Sequence, residues 1–244
     1  GLFVRGLQRA RAVDTGIRHP EQILLVDVST FLAGLGAPER TALTERLLER
    51  VRSVPGVRTA SVATQLPLGF GGYNWISVEA EGYAFAEDEN RSALMSQVSE
   101  RYFETVGVPI VRGRDVTEQE RRAATGDVVV VNEAFARRFW PGQDPIGKRL
   151  RAGGPSGPWS TVVGVAGNVR GRSLTDPAPA TFYVPGFVRR YALHVRADGD
   201  PLALQQSLRR AFEEVDPNLP FAGVRTMAQH MGAATFVQRI GAWL

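Results

Sequence analysis

The sequence predicts an α+β fold on three observations: a strand–helix–strand pattern near each end, a middle rich in short strand patterns, and 15 prolines with 26 glycines spread over 244 residues. Such a spread favours many short elements joined by turns over a helical bundle. The first pattern opens with QILLVDVS at residues 22–29, an apolar strand-like run. Residues 38–54 then place Leu43, Leu47, Leu48, Val51 and Val54 on one helical face, with Pro38 suited to the first turn and Pro55-Gly56 as a stop. VRTASVATQL at residues 57–66 alternates apolar with small or polar residues and reads as the returning strand.

The same pattern recurs downstream. YALHVRA at residues 191–197 alternates as a strand, and His194, opposite Leu193 and Val195 in that alternation, is expected on a surface or at a contact between subdomains. Asp200-Pro201 caps and starts a helix whose Leu204, Leu208, Ala211, Phe212 and Val215 share a face. Asp216-Pro217 ends it, and LPFAGVRTM at residues 219–227 returns as a strand. Two such units can complete one sheet with both helices on one face, a ferredoxin-like layer, which makes the middle an insertion.

That middle carries WISVEAEGYAF, SALMSQVS, GDVVVVN, KRLRA, STVVGVAGNVR and ATFYVP, interrupted by two short helical patterns at 100–107 and 132–140. In the second, Ala134, Phe135, Phe139 and Trp140 form the apolar side and Pro141-Gly142 stops the helix.

Composition permits a real core, with 43% hydrophobic residues, and the absence of cysteine excludes disulfides and thiolate metal sites. A net charge of +4 invites a nucleic-acid reading, but the distribution opposes it. Arginines alternate with glutamates in TERLLERVR and LRRAFEE, which read as solvated ion-pair faces, and neither a run of five or six like charges nor an RNP-type aromatic-basic string occurs. No apolar stretch is long enough to span a membrane. Even so, the chain begins without methionine and closes on FVQRIGAWL, whose Phe236, Val237, Ile240, Trp243 and Leu244 suit the apolar side of a starting helix. It reads as a segment lying between two membrane helices.

Chemistry is sparse. Gly142 to Lys148 fits seven positions of a phosphate-loop pattern, yet Arg149 stands where Ser or Thr should hold magnesium, and the segment follows a helix and leads into a strand. His19, His194 and His230 lie far apart, without metal-ligand spacing. No nucleophile elbow occurs, and Glu118 with Glu120 most simply start a helix.

Four ordered strings, YFETVGVPIVRGRD at 102–115, NEAFARRFWPGQDPIGKRL at 132–150, VVGVAGNVR at 162–170 and PATFYVP at 179–185, resemble the MacB-like periplasmic core domain. That domain is the extracytoplasmic part of ABC-transporter permeases related to the FtsX-like permeases, and the resemblance runs from about Asp14 to Arg239. It implies a split βαβ, ferredoxin-like porter subdomain interrupted by a strand-rich sabre subdomain. The expected division is a helix over 1–20 continuing from a membrane helix, porter halves at 21–73 and 187–230, a sabre at 74–186, and a helix over 231–244 leading into the next membrane helix.

The resemblance also implies a function: an inner-membrane-tethered periplasmic domain with no cofactor of its own, driven by a cytoplasmic ABC ATPase through the membrane helices. A second permease copy or half and a periplasmic accessory protein are the further partners it suggests. The matching positions Tyr102, Phe103, Gly113, Arg114, Asp115, Asn132, Trp140, Pro141, Gly142, Asp144, Pro145, Gly147 and Gly164 read as fold-determining, through turns, positive φ and buried anchors.

The best contact candidate is LPLGFGGYNW at 66–75, whose glycines could present Phe70, Tyr73 and Trp75 to a substrate or partner at a cleft between subdomains. Its plainer reading is a linker with aromatics packed inside. Two other classes stay open: a soluble α+β enzyme with an unrecognised site, and a stand-alone periplasmic binding or scaffold module.

Overall fold

The computed structural model describes residues 15–30, 35–68, 73–171, 176–187 and 189–233. At the ends of the chain, β1 (Ile23–Ser29), α1 (Ala37–Arg52) and β2 (Val57–Ala63) combine with β10 (Arg190–Ala197), α5 (Gln205–Val215) and β11 (Ala222–Thr226). The strands align in the order β11-β1-β10-β2, antiparallel throughout, with Leu25, His194 and Ser61 abreast. Each helix therefore crosses over one intervening strand, the split βαβ arrangement expected from the two end patterns.

Both helices lie on one face because both carry one apolar stripe. Leu43, Leu47, Leu48 and Val51 of α1 and Leu208, Ala211 and Phe212 of α5 pack with Leu24, Val26 and Val28 of β1 and Leu193 and Val195 of β10. At roughly 1.5–3 kcal/mol for each fully buried aliphatic or aromatic side chain, this face outweighs the weak capping of α1, whose N-cap Gly36 offers no side chain. The Asp200 carboxylate accepts from the Leu202 N–H at 2.9 Å, opening the 3-10 turn Pro201–Leu204 that leads into α5.

Between the halves, β3 (Trp75–Ala80), β4 (Ser92–Val98), β6 (Val128–Asn132), β7 (Arg149–Ala152), β8 (Trp159–Ala166) and β9 (Thr181–Pro185) close on themselves. Pairing runs β4-β3-β7-β8-β6-β9 and back to β4, with β8–β6 and β9–β4 parallel and the other pairs antiparallel. A closed ring leaves fewer exposed strand edges. Val78, Ala80, Val129, Val131, Leu150, Val162 and Phe182 form one core with Phe135 and Phe139 of α4 (Glu133–Phe139) and with Trp140.

One element of the middle is absent from the sequence expectation, and another is marked there only by its opening acids. β5 (Ile110–Gly113) pairs with the second half of β8, and α3 (Glu118–Ala123) adds a third helix to α4 and α2 (Tyr102–Val106). β5 is four residues long and its register slips between Ile110 and Arg112, so no alternation betrays it. α3 is opened by the acids expected there: Thr117 and Glu120 form a reciprocal capping box.

Layer and ring are one hydrogen-bonded network, joined between β2 and β4 by the single pair Ala63–Val98. Flanking it, the Ser99 N–H donates to Val62 O and the Thr64 N–H to Gln97 O, each at 3.0 Å. The remaining space is filled. Ile23 and Leu25 from the layer meet Tyr102, Phe103 and Val106 of α2 and Val130 and Tyr183 of the ring, with Ile17, Met227 and Met231 in the same cluster.

Of the helix expected over 1–20, residues 1–14 lie outside the described residues; 15–19 are not helical and lead into a 3-10 turn at Pro20–Gln22. The helix expected over 231–244 is described only to residue 233, as part of a helical stretch at 227–233. No helix among the described residues is long and apolar enough to cross a membrane.

The motif positions act as fasteners. Asn132 is fully buried at the N-cap of α4, where its Oδ1 accepts from the Phe135 and Thr181 N–H groups at 2.9 Å each and its Nδ2 donates to Pro179 O at 2.8 Å. One side chain thus ties α4 to β9. Trp140 donates from Nε1 to Glu81 O at 2.9 Å. Beyond Pro141-Gly142, Asp144 Oδ1 accepts from the Ile146 N–H at 3.1 Å and buried Pro145 O accepts from the Lys148 N–H at 3.1 Å, making the corner before β7. Gly113 and Gly164 face each other where β5 meets β8, and a Cβ on Gly164 would sit 2.1 Å from Arg114 O.

Arg114 forks onto Glu120 at 2.9 and 2.6 Å, which holds that carboxylate down at about 2. Burial pushes the Asp115 carboxyl up to about 6, against the backbone N–H groups of Val116 and Arg101 and with added repulsion from Glu100 and Glu104. Asp115 therefore stays close to the core as a partly protonated acid near pH 6.

Gly164→Ala should cost about 2 kcal/mol or more, because backbone oxygen cannot yield to the new methyl, whereas Gly147→Ala, at φ +82 with open space around it, should cost about 1 kcal/mol. Urea unfolding of both variants checks the order. Asn132→Ala should cost about 2 kcal/mol or more, since it removes a cap and strands a buried N–H of β9. For Asp115, the folded chain holds the extra proton between the ordinary value of 3.8 and about 6, so its contribution to stability falls as pH rises through that window. Asp115→Asn should accordingly exceed the parent in stability by up to about 3 kcal/mol at pH 7.5, with the gap closing near pH 3.5. A pH-independent gap in denaturation midpoints would contradict this.

Candidate functional site

A cleft of about 1010 Å³ lies on the face of the layer opposite α1 and α5. Asp27 and Ser29 of β1 and Ala192 of β10 form its floor, since alternate residues of those strands point away from the helices. Thr64 to Leu66 after β2 and Tyr73 make one wall, and Gln229, His230 and Ala233 of the terminal helical stretch make another.

Electrostatics in the cleft are matched internally. Arg225 of β11 forks onto Asp27 at 2.9 and 3.1 Å. Its Nε donates to His230 Nδ1 at 3.4 Å, and His230 Nε2 lies 3.0 Å from Pro67 O. A neutral ring with its proton on Nε2 satisfies both bonds. Burial, joined by the charge of Arg225, lowers the pKa of His230 and so favours that neutral form.

Of the three aromatic candidates, the two among the described residues, Tyr73 and Trp75, part company. Tyr73 lines the cleft and donates its hydroxyl to Gly171 O at 3.0 Å. Trp75 begins β3, opposite Leu94, 44% exposed and away from the cleft wall. Phe70 lies outside the described residues. The cleft also lies beside the junction of layer and ring, where a void of about 30 Å³ is lined by Tyr73, Ser96, Tyr102 and Tyr183 among others.

That junction holds the other aromatics of the motifs. Tyr102 meets His194 edge-on at 5.6 Å and Phe103 meets Tyr183 at 4.9 Å between ring centroids. His194 is thus a fully buried contact and not a surface residue; its Nδ1 lies 3.1 Å from Ala192 O, and burial pushes its pKa down to about 4. Thr105 of α2 lies 3.1 Å from Thr59 of β2, and Arg196 donates to Thr105 O at 2.8 Å, so α2 is bonded to the layer as well as packed on it.

A second polar feature escapes sequence reasoning. Arg121 of α3, its side chain 2% exposed, donates to Glu100 at 2.7 Å and to Glu45 of α1 at 2.9 Å. Arg52 of α1 donates to the other oxygen of Glu100 at 2.9 Å, and the Arg121 guanidinium lies 4.4 Å from the ring centroid of Phe187. Burial works to raise the Glu100 carboxyl, but its bonds to Arg121 and Arg52 outweigh it and the net shift is downward. The expectation that the charged helix faces are solvated therefore fails for Glu45 and Arg52. Nothing local marks them, because Arg121 is 76 residues from Glu45 and 21 from Glu100.

The phosphate-loop-like segment offers no free amides at its end. The N–H groups of Ile146, Gly147 and Lys148 donate to Asp144 Oδ1, Val162 O and Pro145 O, and β7 follows instead of a helix. Among the described residues, no group of three or more His, Asp or Glu is placed to hold a metal ion.

Fold comparison points the same way as these packing motifs. The periplasmic region of MacB from Actinobacillus actinomycetemcomitans superposes with a TM-score of 0.57 at 16% identity, over 91% of this chain and 95% of that one. The extracellular domain of the noncanonic ABC-type transporter YknZ from Gram-positive bacteria superposes with a TM-score of 0.51 at 12% identity, over 83% of this chain and 98% of that one. Both likenesses are of fold. No curated protein is similar enough to match. A family model for the MacB-like periplasmic core domain matches residues 1–215, most of the sequence. With four motif strings placed as structural fasteners in a fold of this kind, the chain belongs to the MacB-like periplasmic core domain family, extracytoplasmic domains of ABC-type transporter permeases and not an enzyme family.

Proposed function

We propose that this domain is a lever: ATP-driven closure of a cytoplasmic ABC ATPase passes through membrane helices attached at both its ends and moves it outside the inner membrane. The layer corresponds in this reading to the porter subdomain and the ring to the sabre. One observation supports it above the rest. Ile17 near one end of the described chain and Met227 and Met231 near the other pack into the same cluster as α2 and the ring residues Val130 and Tyr183. A displacement imposed at either end would meet a close-packed core, which transmits strain, and would carry to the far side of the domain.

In the same reading the domain faces a second permease copy or half, and the displacement opens and closes the space between them. It exports or extracts a substrate, or signals to a periplasmic accessory protein. The cleft wall bearing Tyr73, with the loop that carries Phe70 and leads to Trp75, is the proposed contact for cargo or accessory protein. Mixed apolar and hydrogen-bonding lining suits such a contact.

The test uses the full-length permease with its ATPase in lipid. The 244 residues contain no cysteine, so Arg137→Cys on exposed α4 takes a spin label without a competing site in the domain. The distance between labelled counterparts should shift between nucleotide-free and ATP-bound states. An unchanged distance while ATP is being hydrolysed would refute the lever. Tyr73→Ala should lower transport or partner capture several-fold with ATP hydrolysis kept, and full retention of both would remove the cleft from the mechanism.

A further inference from the structure

We infer that the Arg121 ion cluster locks the ring to the helical layer, so that the domain moves as one rigid body and not as two hinged parts; this rests on the lever reading above. The observations are of linkage, burial and charge balance. Strand pairing between layer and ring narrows to Ala63–Val98, a strip thin enough to bend. α3 links the two sides through its side chains. Val116, just before it, lies in the junction core, while Arg121 reaches Glu45 on α1 and Glu100 on the turn between β4 and α2.

Two arginines and two glutamates, Arg52, Arg121, Glu45 and Glu100, make the cluster neutral, and both oxygens of Glu100 are occupied by different arginines. Opening a hinge at the strip would draw α3 from α1, part Arg121 from Glu45 and leave a guanidinium that is now almost fully buried without one of the two acids it is hydrogen-bonded to, Glu118 lying farther off at 3.9 Å. Arg122 adds an outer clasp, 3.3 Å from Glu45 and 2.7 Å from Glu118. The cluster is short-ranged and directional, so it adds to the packing and hydrogen bonds of α2 a set of ion pairs that holds one relative position of the two parts.

Two spin labels within one chain test this, at Arg137→Cys on α4 and Gln206→Cys on exposed α5, in the full-length permease assembled with its ATPase. In the parent, the distance within the chain should be narrow and the same in nucleotide-free, ATP-bound and vanadate-trapped states. Adding Arg121→Met, which keeps length and removes charge, should broaden that distribution and damp the displacement between counterparts. Should Arg121→Met fail to fold, Glu45→Gln weakens one arm only; amide exchange should then rise at α3 and stay unchanged at β1 and β10. A nucleotide-dependent shift of the within-chain distance in the parent would overturn the inference, as would an unbroadened distribution in Arg121→Met or unaltered α3 exchange in Glu45→Gln. Failure of the lever itself reads differently, as counterparts that never move relative to each other while the within-chain distance stays fixed.

Discussion

Packing of α2 against layer and ring at once is the constraint on which the remaining architecture rests. Tyr102 and Phe103 leave the turn after β4 and enter the space between β10 on one side and β9 on the other, where His194 and Tyr183 meet them edge-on. Burying four rings in one place fixes their mutual geometry more tightly than an aliphatic filling would, because edge-to-face contacts favour few orientations. The layer cannot rotate against the ring without unpacking them. Segments near both ends of the described chain join the same cluster, so its influence extends from the sheet junction to the points of attachment.

The family motifs make sense as consequences of that geometry. Asn132, Trp140, the corner at Asp144-Pro145 and the facing pair Gly113 and Gly164 all lie where one element must meet another at a set separation. Trp140, Gly142, Asp144 and Pro145 do border one pocket, of about 360 Å³, but its lining holds no histidine, serine, threonine or tyrosine to act on a bound molecule. The cleft, by contrast, is built from residues outside the motifs, with the Arg225–Asp27 fork and His230 closing its polar wall. In this chain, then, the motif residues chiefly hold elements together, and the cleft draws on other residues.

Helix faces were readable because the evidence for each is contained within the helix: Leu43, Leu47, Leu48 and Val51, or Leu208, Ala211 and Phe212, recur at helical spacing and all are buried. A single layer with both helices on one face followed from the two end patterns, and its strands take the order β11-β1-β10-β2. Ring closure did not follow, since the parallel pairing of β4 with β9 depends on how the whole middle wraps. β5 is too short to alternate, and the Arg121 cluster joins residues that are remote in sequence. The aromatic loop shows the opposite failure. Tyr73 and Trp75 look equivalent as letters, yet the start of β3 between them sends one to the cleft and the other to an exposed strand.

Strand order has a consequence for how the chain comes together. β10 sits between β1 and β2, with His194 paired to Leu25 and to Ser61, so the layer cannot close until most of the polypeptide has been made. Contacts of such wide sequence separation form slowly and late. The ring draws all six of its strands from the intervening stretch and needs nothing beyond it to complete its pairing. During synthesis, then, the first strand and amphipathic helix wait with their apolar faces uncovered while the inserted part assembles, an interval in which they invite aggregation or a chaperone's grip.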